Sequence, residues 1–369
     1  MSRVKDFVKQ ELTLCAAFAA ALVSCFFVPP DGAYWSYIDF RTLALLYCLM
    51  VVVAGLRHAG AFTVLAHRLC ERAGSVRAMG LMLVLLCFFS AMLITNDVAL
   101  LTFVPFAVVV LGMVHQEKEL IWVVVLQTVA ANLGSVLTPV GNPQNLYLYS
   151  RYGLSMADFL SATLPLWLLS LVAVLLLSLR LPRARVEVFL GEAPCLNRKG
   201  LILYLALFLL CLLAVLRLLD WPWLLGILVL TLLVLDRRRL LKADFLLLLT
   251  FVCFFVFSGN LARIGAVEAL LRRLLAGREL LVGALTSQII SNVPAALLLS
   301  GFTEAGRELL LGVNIGGLGT PVASLASLIS LKLYSHSEHA SSGKLLCLFS
   351  LVNFGLLALL LGLYQFILS

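Results

Sequence analysis

The stretch "NLGSVLTPVGNPQNLYLYS", residues 132–150, lies in a segment from Ile121 to Ser150 that contains no charged residue. A segment of that length can cross a bilayer, which takes roughly 20 apolar residues. Yet its middle carries two prolines, two glycines and three asparagines. Proline inside a helix removes a hydrogen bond and crowds the preceding turn, so the stretch reads as a membrane helix opened part-way along.

The surrounding composition agrees with lipid. Of 369 residues, 62% are hydrophobic and 12% charged, against about 25% charged for a soluble domain. Apolar runs recur at 12–28, 42–56, 79–114, 120–150, 159–179, 201–216, 221–235, 245–262, 280–303, 309–331 and 345–369, and Asp97 is the only charge in any of them. The pattern predicts an all-α polytopic membrane protein. The net charge of +8 does not point to nucleic acid, because Lys and Arg sit in short clusters between apolar runs and read as topology determinants. The nine cysteines lie mostly in apolar segments without CxxC or metal spacing, as small core hydrophobes do. Arg3, Lys5 and Lys9 before the first run imitate a secretory signal, but the many later spans favour a retained first helix.

The basic clusters Arg3/Lys5/Lys9, Arg57/Arg68/Arg72/Arg77, Arg180/Arg183/Arg185/Arg198/Lys199, Arg237/Arg238/Arg239/Lys242 and Lys332/Lys344 are expected on the cytoplasmic side. That places the N-terminus inside, the C-terminus outside, and "PPDGAYW" and "LDWPW" outside, in an inner (cytoplasmic) membrane. Arg263, Arg272, Arg273 and Arg278 fall on the outer side, in the amphipathic stretch "LARIGAVEALLRRLLA" (261–276), which suits a helix lying in the interface.

A duplication becomes visible when the opening stretch is set beside "VNIGGLGTPVASLASL" (313–328). Asn132, Gly134, Thr138, Pro139, Val140 and Leu146 match Asn314, Gly316, Thr320, Pro321, Val322 and Leu328 without a gap. Upstream, Asp39-Phe40 answers to Asp244-Phe245, and "ITNDVA" with Asn96 to "ISNVPA" with Asn292. Collinear matches of this kind imply two related halves. One half starts at the outer side and the other at the basic 237–242 loop, so the repeats are expected to be inverted. The expected organisation is an N-terminal transmembrane helix in 1–36, a first repeat at 37–180, a cytoplasmic linker at 181–200, a helix pair at 201–242, a second repeat at 243–335 and a C-terminal helix in 336–369. Each repeat holds a re-entrant helical hairpin (about 79–112 and 280–302) followed by a broken transmembrane helix (about 119–150 and 308–332). The second hairpin region is too short for two full spans.

Backbone opened in hydrocarbon survives only where it lines a cavity or meets protein. Thr138-Pro139, Asn142-Pro143 and Thr320-Pro321 each place a capping residue before a proline, as at a helix start. Half-helices starting mid-membrane would aim free N–H groups and positive dipole ends into a cavity. Asp97, the only acid between Arg77 and Glu117, is read as an ion or proton site in preference to a simple cap. Its counterpart Val293 cannot ionise. Thr95, Asn96, Asn132, Asn145, Ser291 and Asn292 offer neutral oxygens for sodium or for a hydrogen-bonded anion. Gly134, Gly141, Gly316, Gly317 and Gly319 suit close packing and irregular backbone. Tyr147, Tyr149 and Tyr152 suit an interfacial belt. His58, His67, His115, His336 and His339 lie near segment ends and receive no site role.

These motifs resemble the ion transporter superfamily: arsenite permeases, NhaD-type sodium/proton antiporters, citrate-transporter-like permeases and divalent anion:sodium symporters. "TNDVALLTFVP" resembles the arsenite-permease hairpin with its Asn-Asp pair; "SNVP" resembles the Ser-Asn-Thr tip of dicarboxylate symporters, and "TPVGNPQN" their unwound break. The resemblance implies two cation sites flanked by Asn96, Asn292, Gly134 and Gly316, and the residues themselves add Asp97, Asn132 and Asn314 as coupling candidates. It also implies a substrate site from Thr95, Asn96, Asn142, Asn145, Ser291, Asn292, Thr320 and Pro321, and a homodimer with an elevator motion. Neither tip reads Ser-Asn-Thr and no arginine lies in these segments, which argues against a dicarboxylate and makes cation coupling part of the reading.

The expected function is therefore secondary active transport of a small inorganic or organic anion, coupled to sodium or protons, with no cofactor and no metal beyond a coupling sodium. Sodium/proton antiport through Asp97 and efflux of arsenite or a related oxyanion are the alternatives. An intramembrane enzyme is disfavoured because HExxH and paired intramembrane acids are absent.

Overall fold

The computed structural model describes residues 11–186, 195–337 and 340–368. Arg3, Lys5, Lys9, residues 187–194 of the linker and His339 lie outside the described residues. Besides a four-residue helix at Tyr34–Tyr37, three short 3-10 helices and connecting turns, the described chain consists of seventeen α-helices. They are α1 (Leu12–Phe27), α2 (Phe40–His58), α3 (Ala61–Glu71), α4 (Val76–Ile94), α5 (Asn96–Met113), α6 (Glu117–Gly134), α7 (Pro143–Arg151), α8 (Met156–Ser178), α9 (Arg198–Val215), α10 (Trp221–Leu235), α11 (Phe245–Ala262), α12 (Gly265–Leu275), α13 (Glu279–Ile290), α14 (Asn292–Leu299), α15 (Gly306–Ile315), α16 (Leu325–Ser335) and α17 (Ser342–Leu368). Eight candidate spans are long and apolar enough to cross a membrane, so the protein is a multi-pass membrane protein.

Local chemistry sets many helix starts. Asp39 caps α2 by accepting from the Thr42 amide at 2.9 Å, and Asp244 caps α11 by accepting from the Leu247 amide at 2.9 Å. Ser155 and Asp158 form a reciprocal capping box at the start of α8. The amphipathic stretch at 261–276 forms α12.

From each Asp cap onward the same order of elements follows: a long helix, a short amphipathic helix, two helices joined by one residue, a broken helix, and a closing long helix. The first series is α2 to α8 and the second α11 to α17. The C-terminal helix α17, set apart in the sequence reading, thus occupies the place that α8 takes in the first series. A second difference lies in the hairpins. Helices α4 and α5 contain 19 and 18 residues, each long enough to span, whereas α13 and α14 contain 12 and 8.

The two series interlock. Helix α6 is the centre of the molecule, its apolar window 89% buried among α4, α5, α8, α16 and α17. The second part of each broken helix packs against the opposite hairpin, α7 on α14 and α16 on α5. Tight approach at the break depends on Gly134, where a Cβ would collide with the Phe88 carbonyl of α4, and on Gly316, where it would lie 2.7 Å from the Ala284 Cα of α13.

Candidate functional site

The helices within each hairpin are joined by single residues in the same rare conformation. Thr95 has φ 71° and ψ 150°; Ser291 has φ 75° and ψ 154°. Side chains rarely occupy this region, and doing so costs on the order of 1–3 kcal/mol, so the surroundings must enforce it. Each tip is held against its own break. The Asn96 amide donates to the Gly141 carbonyl at 3.1 Å, and the Ser291 hydroxyl donates to the Ala323 carbonyl at 3.4 Å.

The threonine side chains of the Thr-Pro pairs do not cap, although Thr320 holds the N-cap position with Pro321 next to it. The Thr138 hydroxyl donates to the Met92 carbonyl and the Thr320 hydroxyl to the Gln288 carbonyl, the latter at 3.0 Å, so each threonine ties a break to the last turn of a hairpin arm. Neither makes a side-chain cap bond. Only Asn142 caps as expected, accepting from the Asn145 amide at 2.9 Å with Pro143 in the first helical position.

Two matched asparagines cross between the series. Asn132 on α6 accepts from Asn96 Nδ2 at 3.1 Å and from the Ser324 hydroxyl at 2.9 Å, and donates to the Gly317 carbonyl and the Ser327 hydroxyl at 3.4 and 3.3 Å. Asn314 on α15 accepts from Asn142 Nδ2 at 3.2 Å and donates to Asn145 Oδ1 at 2.7 Å. Each therefore reaches the residues ten and thirteen places beyond its counterpart, Asn142 and Asn145 in one case, Ser324 and Ser327 in the other. Buried amides satisfied in this way fix the register of both breaks.

The opened carbonyls are answered differently. In the first break, Asn145 Nδ2 donates to the carbonyls of Ser135, Val136 and Thr138 at 3.3, 3.2 and 3.1 Å. In the second, Gln288 Nε2 donates to those of Gly316 and Leu318, both at 2.9 Å, while its Oε1 accepts from the Thr320 amide. Gln288 went unremarked in the sequence, although it is the only amide side chain within α13.

Beside this assembly lies a cavity of about 700 Å³. Of the residues read as site candidates, Thr95, Asp97 and Asn142 line it. Asn96, Asn132, Asn145, Asn292, Asn314 and Ser291 are buried in the packing between tips and breaks; Gly134 and Gly316 serve the close helix approach, and Thr320 and Pro321 stand at the second break. Asp97 is in the first turn of α5, and Asn96 Oδ1 accepts from its backbone amide at 3.0 Å. The remaining lining holds a surprise for a topology-based reading: Arg57, His58, Arg239, Lys242 and Asp244 surround the same cavity. Among the described residues no group of three His, Cys, Asp or Glu side chains is placed to hold a metal ion.

A family model described as "Citrate transporter" matches residues 9–305. The chain belongs to the citrate transporter family. It is accordingly a permease of the ion transporter superfamily and a membrane transporter, not an enzyme. It is 32% identical over 298 residues, 80% of this chain and 81% of the relative, to an uncharacterized transporter of Methanocaldococcus jannaschii. It is 31% identical over 346 residues, 91% and 92% of the two chains, to the inner membrane protein YbiR of Escherichia coli. Over 154 residues, 42% of this chain and 31% of the relative, it is 34% identical to the silicon efflux transporter LSI3 of Oryza sativa.

Proposed function

We propose that this citrate transporter family member is a secondary active transporter that moves a small anion, coupled to sodium or protons, by alternating access. The observation that carries the reading is the position of Asp97. The only charge in any apolar run lines a large cavity where a hairpin tip and a helix break meet, and its counterpart in the second series is Val293. The cavity supplies both signs of charge. Arg57 and Lys242 attract an anion, Arg239 being paired with Asp236 at 3.2 Å, while Asp97 and the neighbouring oxygens of Thr95 and Asn142 suit a cation or a proton that must accompany it.

In this reading the two series are inverted repeats and the second hairpin is re-entrant. The first is read so by its correspondence with the second, since its own arms are each long enough to span. The arms of 12 and 8 residues in α13 and α14 extend about 18 and 12 Å at 1.5 Å per residue, short of the roughly 30 Å hydrocarbon layer. Contact of each tip with its break supports reading the tips at the depth where the helices open. The basic lining of the cavity is expected to face the cytoplasm by the positive-inside tendency, in a cell inner membrane.

The test is purified protein in proteoliposomes, with sodium and proton gradients imposed separately across a panel of anions. Gradient-driven anion uptake that is lost in Asp97→Asn is the expected result; uptake unchanged in that variant removes Asp97 from coupling. Sodium–proton exchange with no anion requirement would establish antiport instead. The partial likeness to a protein named as a silicon efflux transporter favours efflux of an oxyanion as the second reading, and counterflow from preloaded vesicles distinguishes it.

A further inference from the structure

A second cavity of about 650 Å³ lies at the other end of the helices that form the first. Helix α2 gives Arg57 and His58 to the first cavity, whereas Asp39 at its cap and Arg41 line the second; α11 gives Leu247 to the first and Phe255 and Arg263 to the second. The short helix α7 lies between them, with Pro143 and Leu146 facing one cavity and Ser150 and Arg151 the other. Tyr147 of α7 and Phe255 of α11 line the second cavity. The Tyr147 ring packs on Phe255 at 5.6 Å, and its hydroxyl is hydrogen-bonded to Ser300 Oγ at 2.8 Å.

We propose that this second cavity binds a small oxyanion, a carboxylate or phosphate group, through Arg41 and Arg151. Three arginines line it, and one is already engaged: Arg263 pairs with Asp31 at 2.8 Å and donates to the Tyr37 hydroxyl at 3.0 Å. Arg41 and Arg151 make no ion pair among the described residues, and Arg41 donates only to the Ala214 carbonyl at 3.4 Å. The one carboxylate in the lining, Asp39, is committed to capping α2 through the Thr42 amide and hydroxyl. Two guanidinium groups without a carboxylate at ion-pair distance, with Ser150 in the same lining, form a receptor for a planar or tetrahedral oxyanion. Placement adds the second argument. Counted from the matched caps Asp39 and Asp244, Phe255, Gly259 and Arg263 stand where Met50, Ala54 and His58 stand in the first cavity, so the two cavities are built from equivalent positions. The cavity then serves as the entry or exit vestibule of the transport path. That role rests on the proposed anion transport, whereas binding itself does not.

The experiment is equilibrium calorimetry on the full-length protein in nanodiscs, with citrate and inorganic phosphate as probes. In zwitterionic lipid, Arg151→Ala and Arg41→Ala should each weaken binding of at least one probe about tenfold, with Arg151→Lys intermediate. Asp97→Asn should leave the Arg151-dependent component in place. That component is measured without any gradient, so a failure of coupled transport does not erase it. Absence of binding in the wild type, or affinity indifferent to both alanine variants, overturns the proposal. A lipid phosphate could meet the same arginines, so the titration is repeated in phosphatidylglycerol nanodiscs. Unchanged affinity supports a free anion, and loss of the Arg151-dependent component assigns the site to a lipid headgroup and overturns the vestibule.

Discussion

The two helix breaks present the same problem and solve it with different residues. In the first, an amide from the break's own second half, Asn145, turns back to satisfy three opened carbonyls. In the second, the position of Asn145 is held by Ser327, and the task passes to Gln288 on the hairpin arm. The equivalent of Gln288 in the first hairpin is Met92, which offers only its backbone carbonyl to Thr138. The second hairpin is thereby bonded to its break through a side chain at both Gln288 and Ser291, while the first is bonded chiefly through backbone groups and Asn96. What must be preserved in a membrane is the satisfaction of the carbonyls, and the identity of the donor is free to move. Freed of that task, the first tip can carry a charge, and it carries Asp97.

The sharpest way to break this contrast is to move the charge. Asp97→Asn should reduce gradient-driven uptake at least about tenfold, a loss of roughly 1.4 kcal/mol or more in transition-state terms. Adding Val293→Asp to that variant should fail to restore uptake, because the wide lining around Asp97 includes Val98 and Leu101 of its own hairpin and no member of the second tip. Recovery of uptake in the double variant would show that the two tips are functionally interchangeable.

Next in size is the loss of the carbonyl donors. Asn145→Leu strands the Ser135 and Val136 carbonyls and one of the two N–H bonds of the Asn314 amide, while Thr138 keeps the Gly141 amide; an unanswered buried polar group costs about 1–3 kcal/mol before water or relaxation relieves it. Gln288→Leu likewise strands two carbonyls and the Thr320 amide, so a net destabilisation of about 2–3 kcal/mol is expected for each variant, read as unfolding free energies or as melting temperatures in one detergent. If the donor may come from either side, Met92→Gln should return about 1 kcal/mol to the Asn145→Leu protein. Equal melting temperatures for the single and double variants would mean that the first break cannot accept a donor from its hairpin.

Much of this arrangement was legible in the chain. Apolar runs gave the spans, Asp39 and Asp244 gave two helix starts, and the Asn132–Asn314 match located both breaks. What local spacing could not show was the direction of long-range bonds. A Thr before a Pro has the pattern of a cap, yet Thr138 and Thr320 turn to carbonyls 46 and 32 residues away. Asn142 and Asn145 looked alike as candidate ligands, but one lines the cavity and the other is fully buried in the break. Arg57, Arg239 and Lys242 followed the rule for loop charges, which concealed that folding gathers them around one cavity. The role of Gln288 had a signal in hindsight: an amide inside an apolar helix needs partners, and the nearest opened carbonyls belong to the break.

The smallest expected difference concerns the tips themselves. Thr95 and Ser291 share a conformation that glycine adopts freely, and Thr95 is the more strained because it is β-branched. Thr95→Gly should relieve on the order of 1–3 kcal/mol while giving back about 0.5–1 kcal/mol through the greater freedom of glycine in the unfolded chain, for a net stabilisation of about 1 kcal/mol. Ser291→Gly forfeits the hydroxyl bond to Ala323 as well, and should come out near neutral. Stability and function then separate: Thr95 lines the cavity beside Asp97, so the glycine variant should melt higher yet show a raised KM for the transported anion. A Thr95→Gly protein with unchanged KM would mean that the residue is retained for the shape of the turn alone, and the first tip would then differ from the second in charge but not in substrate contact.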